Sequence, residues 1–308
     1  MTQICIILIH FNQPNLTDQA LDSLAKINKQ GNKVRVVVVD NASTKLYKLP
    51  KSLPTTWFEV IRSQSNLGFT GGNNLGLHYA IENYNPEYAL LLNNDTVVDK
   101  NFLLELLDHA NRYPTHGLIS SKIYFYPGSE FHKASYKPSE RSRVLWYAGG
   151  ATDWQHLAFH HKGVDELDRG QFDHLVTSDF ATGCSLLIRR EVLEKIGTLD
   201  KSYFLYNEDL DFSLRARENG YKIGFCASSK VWHKNAGSSG GAGSSTADYY
   251  QTRNRYILVM KHGSVGVWIT ALRLMIRDLL SGNEFKIKAV WHFLSGQFGK
   301  QPLVDLIN

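Results

Sequence analysis

Twice in its N-terminal third the chain runs through unbroken apolar residues and stops at a cluster of amides with one carboxylate. Val36-Val37-Val38-Val39 ends at Asp40-Asn41, and Leu90-Leu91-Leu92 ends at Asn93-Asn94-Asp95. Short apolar runs without alternation are strands covered on both faces, the form that parallel sheets require. Residues 4–9 form a third such run, read as a first strand and not as a signal peptide because no cationic segment precedes it. Between these runs, residues 15–27 set Leu16, Ala20, Leu21 and Leu24 on one helical face, and residues 57–62 form a further strand. Strands alternating with helices predict an α/β domain whose parallel sheet is wound by right-handed crossovers. Ligands then sit beyond the carboxyl ends of the strands, where Asp40 and Asp95 fall.

The signal weakens over residues 118–178, where aromatic and His-rich stretches suggest short strands and loops. Residues 182–188 read as a strand, 190–196 as a short helix and 207–219 as a helix closed by Gly220. Residues 222–226 and 230–232 read as two further strands. The Gly/Ser tract over 237–245 reads as a mobile loop. From 246 the pattern is helical, with Val265, Trp268, Ile269, Leu272, Met275, Ile276 and Leu279 on one apolar stripe opposite Thr270, Arg273 and Arg277. No uncharged stretch there approaches the roughly 20 residues that cross a bilayer.

Of 308 residues, 43% are hydrophobic and 20% charged, which excludes disordered and fibrous classes. A net charge of +5 without Lys/Arg runs suits anionic small molecules or a membrane surface and gives a nucleic-acid partner no support. Cys5, Cys184 and Cys226 form no CxxC pair and read as buried free thiols in a reducing compartment.

Each candidate site segment has two readings. The turn Asn93-Asn94-Asp95 suits Mg²⁺ or Mn²⁺ bridging phosphates, or it closes an ordinary Asx turn. Asp40 can accept from a pyrimidine N3–H or a ribose, or it closes a turn with Asn41 and Ser43. Residues 66–74 lack both the GxGxxG spacing and the P-loop Lys. As a strand-to-helix loop they permit close backbone approach and present helix N–H groups to an anion. Asn207-Glu208-Asp209 opens a helix either as dipole-favoured acids or as a general base. His233 is a metal ligand or an ordinary surface imidazole. Arg253 and Asn254 offer a guanidinium to a diphosphate, or form a solvated helix face.

Taken in order, IILIHFNQ, VVVVDNAST, SNLGFTGGNNLGL, LLLNNDTVV, FATGCSLLIRREVLEKIGTLDKSYFLYNEDLDFSLRARENGYK and VWHKNAGSS resemble the inverting nucleotide-sugar transferases of glycosyltransferase family 2, in their rhamnosyltransferase-like bacterial branch. The resemblance covers roughly residues 3 to 262. It implies a Rossmann-like GT-A fold with a mostly parallel central sheet and a C-terminal helical extension. Residues 1–245 would be the transferase domain, with nucleotide-binding (1–115) and acceptor-binding (116–245) halves. Residues 246–308 would be helices packing on that domain or on a membrane surface.

The same resemblance implies roles. Asn12, Asp40, Asn66, Gly68, Gly71, Gly72, Asn74, Asn94, Asp95, Arg253 and Asn254 would hold the nucleotide-sugar. Asp95 and His233 would hold Mg²⁺ or Mn²⁺, Asp209 would be the catalytic base with Glu208 tuning it, and Phe180, Thr182, Gly183 and Cys184 would border the acceptor. Asn93 replaces the first carboxylate of the family's DxD motif, so metal binding would lean on the nucleotide's phosphates. The implied donor is a nucleoside-diphosphate sugar such as dTDP-rhamnose or a UDP-sugar. The implied acceptor is a hydroxyl of a glycan or lipid-linked intermediate in cell-surface polysaccharide synthesis. Such an enzyme is cytoplasmic, with room for homodimerisation and for peripheral contact with the inner face of the plasma membrane. By its own pattern the C-terminal helix packs on the main domain, or docks its Trp268 face and Arg273/Arg277 edge on an anionic membrane. Two other readings stay open. A sugar-phosphate nucleotidyltransferase wants a cationic Gly-rich loop where the chain has His10-Phe11-Asn12-Gln13-Pro14. A catalytically silent nucleotide- or carbohydrate-binding module is the other.

Overall fold

The computed structural model describes residues 1–235 and 244–302, so most of the Gly/Ser tract lies outside the described residues. In chain order the elements are β1 (Gln3–His10), α1 (Pro14–Leu24), β2 (Lys33–Asp40), β3 (Phe58–Arg62), α2 (Gly68–Tyr84), β4 (Tyr88–Leu92), β5 (Thr96–Val98) and α3 (Phe102–Arg112). They continue as β6 (His116–Phe125), β7 (Leu145–Tyr147), β8 (Gly150–Asp153), β9 (Ala158–His161), β10 (Ser185–Arg189), α4 (Arg190–Ile196), α5 (Glu208–Glu218) and β11 (Lys222–His233). The helices α6 (Ser245–His262), α7 (Val265–Leu279) and α8 (Glu284–Leu294) follow.

Among the described residues one sheet has the order β3-β2-β1-β4-β10-β6-β11-β5, with β7 paired to β6. Its first half is parallel, as the apolar runs require: β3, β2, β1 and β4 pair in one direction. The second half departs from the expected, mostly parallel sheet. There β10 runs antiparallel to both β4 and β6, and β5 antiparallel to β11, while β6 and β11 are parallel. Alternate β1 side chains serve different layers. Ile4, Ile6 and Leu8 pack with α1 and α3, whereas Cys5 and Ile7 pack with α2, α4 and α5. All three cysteines are buried. The strand order reverses between β2 and β4 on either side of β1, so a crevice opens beyond the ends of β1 and β4.

Three elements differ from the sequence reading. The Gly/Asn-rich segment expected as a loop is helical from Gly68. Its glycines let α2 lie against the sheet: a Cβ on Gly76 would stand 2.4 Å from Ile7 Cγ2. Strand β6, read only as scattered short pieces, is buried over its whole length. Its Ser120, Ser121 and Lys122 hide it from an apolar-run reading, but each is satisfied internally. Ser121 Oγ bonds Ser185 and Ser229, and Lys122 Nζ pairs with Asp168 at 2.9 Å. Finally, the two strands expected over 222–232 are one strand, interrupted by a register shift between Cys226 and Lys230.

The C-terminal helices enclose their own apolar cluster, with Tyr256, Ile257, Met275, Val290 and Phe293 at its centre. The expected single stripe on α7 is split. Trp268, Met275 and Leu279 face this cluster, whereas Val265, Ile269, Leu272 and Ile276 point outward. Among the described residues no helix is long and apolar enough to cross a membrane.

Candidate active site

A cavity of about 1160 Å³ opens over the ends of β1, β2 and β4 and reaches across to α5, α6 and α7. Its volume exceeds that of an ordinary small-ligand pocket and accommodates two reactants together. Asp95 and Asp209, more than a hundred residues apart in sequence, both line it.

On one wall, the turn after β4 presents Asn93, Asn94 and Asp95. Asn94 is braced by donating to Thr17 Oγ1 at 2.9 Å, and that hydroxyl also meets His10 Nδ1 at 2.7 Å. Asp95 Oδ1 lies 3.0 Å from Nε2 of His233, which the end of β11 delivers. The imidazole is held edge-on against Trp146 at 4.6 Å, and its Nδ1 is buried without a partner. One carboxylate oxygen and one imidazole nitrogen, converging on a cavity wall, suit a divalent cation that takes its remaining ligands from substrate phosphates. Among the described residues no group of three His, Cys, Asp or Glu side chains could hold such an ion by protein contacts alone.

Opposite, Asn207-Glu208-Asp209 begins α5. Asp209 Oδ2 accepts from the Gly183 N–H at 2.9 Å and Oδ1 from its neighbour Leu210 N–H at 2.8 Å. Burial raises its pKa above the ordinary aspartate value, against the lowering effect of those N–H groups. Glu208 is pushed well above the ordinary glutamate value by burial and then by the charge of Asp209, and its Oε2 is buried without a partner. The two environments divide the roles. Asp209 accepts from two backbone N–H groups, whereas Glu208 has one oxygen without a partner and only its own backbone N–H in favour of the charged form, so Glu208 is the group that keeps its proton. A raised carboxyl pKa contributes stability below the unfolded value, and that contribution is lost as pH rises through the folded one. Glu208→Gln is therefore expected to raise stability at pH 8, with little effect at pH 4, in paired thermal melts.

The loop before α5 is unusual. Phe204, Tyr206 and Asn207 all have left-handed backbones, with φ of 64°, 69° and 68°. Their carbonyls are tied down from α6. Asn254 Nδ2 donates to the Tyr203, Leu205 and Tyr206 carbonyls at 3.0, 2.7 and 2.8 Å, and Arg253 Nη2 to those of Ser202 and Tyr203 at 3.2 and 3.0 Å. The same loop anchors α2, whose Thr70 N–H donates to Phe204 O at 3.2 Å.

Several sequence-predicted residues stand at the cavity: Asn66, Gly68, Asn94, Asp95, Phe180, Thr182, Gly183, Cys184, Glu208, Asp209 and His233. Others do not, each for a visible reason. Asp40 is fully enclosed, its oxygens taken by the Ser43 and Tyr47 N–H groups and by Arg62, so it shapes the loop after β2. Its neighbour Asn41 reaches the cavity and clamps the start of α2 through Asn66 Oδ1 and Gly68 O. Asn12 links the β1–α1 turn to Ser43 and Thr44. Gly71 packs against Leu67 and Gly72 against Ile9 as parts of a helix, and Asn74 pairs with the Leu199 backbone at 2.7 and 3.0 Å. Arg253 and Asn254 are buried behind the loop they hold.

Sequence reading also passed over residues that do line the cavity: Asn41, Trp146, His161, Gln251, Arg255 and Arg277. Gln251 and Arg255 share a face of α6 by their i, i+4 spacing, the one signal that separates Arg255 from Arg253. Burial lowers the His161 pKa to about 4, so it faces the cavity as a neutral ring.

Comparison with known proteins bears on the family and the fold. The family described as "Glycosyltransferase like family 2" matches residues 3–257. A low-salt glycan biosynthesis hexosyltransferase of Haloferax volcanii is 28% identical over 221 residues, covering 72% of this chain and 66% of that protein. The chain thus spans slightly less than two-thirds of that relative's length. An N-acetylglucosaminyl-diphospho-decaprenol L-rhamnosyltransferase of Mycobacterium tuberculosis is 25% identical over 265 residues, covering 80% and 81%. Among solved structures, GalNAc-T7 with UDP, GalNAc and Mn²⁺ aligns with a TM-score of 0.64 at 16% identity, over 96% of this chain and 56% of that one. The Pyrobaculum calidifontis mannosyltransferase with GDP-Man and Mn²⁺ aligns with a TM-score of 0.53 at 14% identity, over 99% and 78%. At such identities the structures speak for the fold, which is GT-A.

Proposed function

The chain belongs to glycosyltransferase-like family 2, and we propose that it moves a sugar from a nucleoside-diphosphate donor to an acceptor hydroxyl with inversion at the anomeric carbon. The observation that carries this reading is the meeting of Asp95, His233 and Asp209 on one cavity. We assign the nucleotide to the wall built by residues 1–115, where Asn41, Asn66 and Asp95 lie, and the acceptor to the wall of residues 116–245, with Phe180, Thr182 and Gly183. The helices α6, α7 and α8, within Ser245–Leu294, make the helical extension. Asp95 and His233 would hold Mg²⁺ or Mn²⁺ together with the donor diphosphate, and the ion would supply charge neutralisation to the departing nucleotide. Arg255 and Arg277 add cationic charge at the same cavity.

Asp209 takes the proton of the acceptor hydroxyl as its oxygen attacks the anomeric carbon. A single base fits inversion, because retention through a glycosyl-enzyme needs a nucleophile. Cys184 is unsuited to that role, since burial pushes its thiol pKa well up and away from thiolate. The relatives' names suggest a hexose or deoxyhexose donor and a glycan or diphospholipid-linked acceptor in cell-envelope synthesis.

A thermal-shift panel of nucleotide-sugars, run with and without Mn²⁺, tests the reading. Stabilisation by one nucleotide-sugar that depends on Mn²⁺ is expected, and a flat response across the panel removes the proposal. Asp95→Ala should weaken the Mn²⁺-dependent part of nucleotide binding by about 10- to 100-fold in calorimetric titration. An unchanged isotherm takes Asp95 out of the metal site.

A further inference from the structure

We propose that the outward face of α7 docks on an anionic bilayer and so sets the mouth of the catalytic cavity against the membrane. Val265, Ile269, Leu272, Ile276 and Leu280 are 52% to 83% exposed and recur every three or four residues, which puts them on one side of the helix. Five large aliphatic side chains left in water on one face is unusual for a surface with no partner. The helix is too short and too charged to span, so it lies along the interface.

Charge selects the occupant. From residue 265 to 302 there are five Lys and Arg residues against two acids, and of those acids Asp278 is buried and accepts from the Tyr256 hydroxyl at 2.5 Å. Arg273 and Arg277 are exposed on α7 itself. A basic helix with an apolar face is attracted to anionic headgroups. A second copy of the chain meeting this face across a two-fold axis would set the same cations against each other.

Continuity with the cavity gives the docking a purpose. Leu274 and Arg277 line the cavity, and Ile276 and Leu280 lie beside them on the outward side of the same helix. An acceptor whose sugar and diphosphate occupy the cavity can leave its lipid chain in the bilayer along that face. This rests on the reading that the acceptor is lipid-linked.

Flotation of the full chain with phosphatidylcholine vesicles, with and without phosphatidylglycerol, tests the proposal. Binding is expected only when the anionic lipid is present. The triple variant Ile269→Glu, Leu272→Glu, Ile276→Glu should lose roughly 100-fold in vesicle partitioning. Because those side chains already face water, it should keep the wild-type melting temperature and the wild-type rate of donor hydrolysis without acceptor. Should the triple variant fail to fold, Ile269→Ser with Ile276→Ser carries the same test with a smaller loss. Absence of wild-type flotation, equal partitioning of the variants, or a wild-type dimer that the triple variant dissolves overturns the docking. Vesicle binding without any nucleotide-sugar turnover overturns instead the transferase reading.

Discussion

Asp209→Asn is expected to cut turnover by about 10²- to 10⁴-fold while donor affinity changes little, because only proton removal from the acceptor is lost. The substitution keeps size, and its one amide oxygen can still meet the Gly183 N–H at 2.9 Å, at the expense of the acceptor for the Leu210 N–H. The pH dependence separates a base from a merely structural carboxylate. Burial holds Asp209 above the ordinary aspartate value, so the protonated, inactive form persists to higher pH and the rate rises as pH climbs through the raised value. Glu208 sits beside it with its own raised pKa, so the acid limb belongs to the pair. In Asp209→Asn the residual rate should lose that limb; in Glu208→Gln the limb should survive with little shift, because Glu208 is the member that keeps its proton and carries no charge to remove. A limb that persists in Asp209→Asn, or near-normal turnover, assigns the base elsewhere. Anomeric configuration of the product, read by NMR, checks the stereochemistry independently.

How much of this was legible beforehand depended on whether local pattern and tertiary role coincided. Strands β1, β2 and β4 were readable because burial on both faces demands unbroken apolar runs, and their polar stops mark the crevice. Strand β6 is no less buried, yet Ser120-Ser121-Lys122 broke its run, since those side chains are satisfied by partners up to 108 residues away. The glycines of α2 read as a loop because propensity counts their cost and cannot see Ile7 pressing on the backbone at Gly76. Strand β11 read as two because its register shifts after Cys226. At the site, the residue types at Asp95, Glu208, Asp209 and His233 were visible in sequence, but which polar group faces inward was not. Asp40 and Asn41 are adjacent and nearly equal in size, yet only the amide reaches the cavity, while the carboxylate turns away towards Arg62. Arg253 and Arg255 are two apart on a helix, roughly 200° around its axis, and the sequence alone does not say which face meets the cavity.

That helical phase yields a second large effect. Arg253→Ala is expected to destabilise the protein by about 2–4 kcal/mol, on the order of a 5–10 °C fall in melting temperature. The guanidinium is fully buried, donates to the carbonyls of Ser202, Tyr203 and Gly299, and lies over the rings of Tyr249 and Tyr250 at 5.4 and 4.9 Å. Truncation takes the donor from the Gly299 carbonyl and one of the donors from those of Ser202 and Tyr203, which keep the Gly299 N–H and Asn254 Nδ2. It also releases a loop whose left-handed residues persist only while their surroundings hold them. Since that loop runs directly into Glu208 and Asp209, turnover should fall at temperatures where the variant is still folded. Arg253→Lys keeps the charge but not the planar fork and should recover only part of both losses. Arg255→Ala should behave in the opposite way, weakening nucleotide-sugar binding with the melting temperature of the free protein nearly unchanged, because Arg255 faces the cavity and supports no strained backbone. If the two substitutions exchange phenotypes, with Arg253 governing donor affinity and Arg255 governing stability, then the face of α6 assigned to the donor is the wrong one.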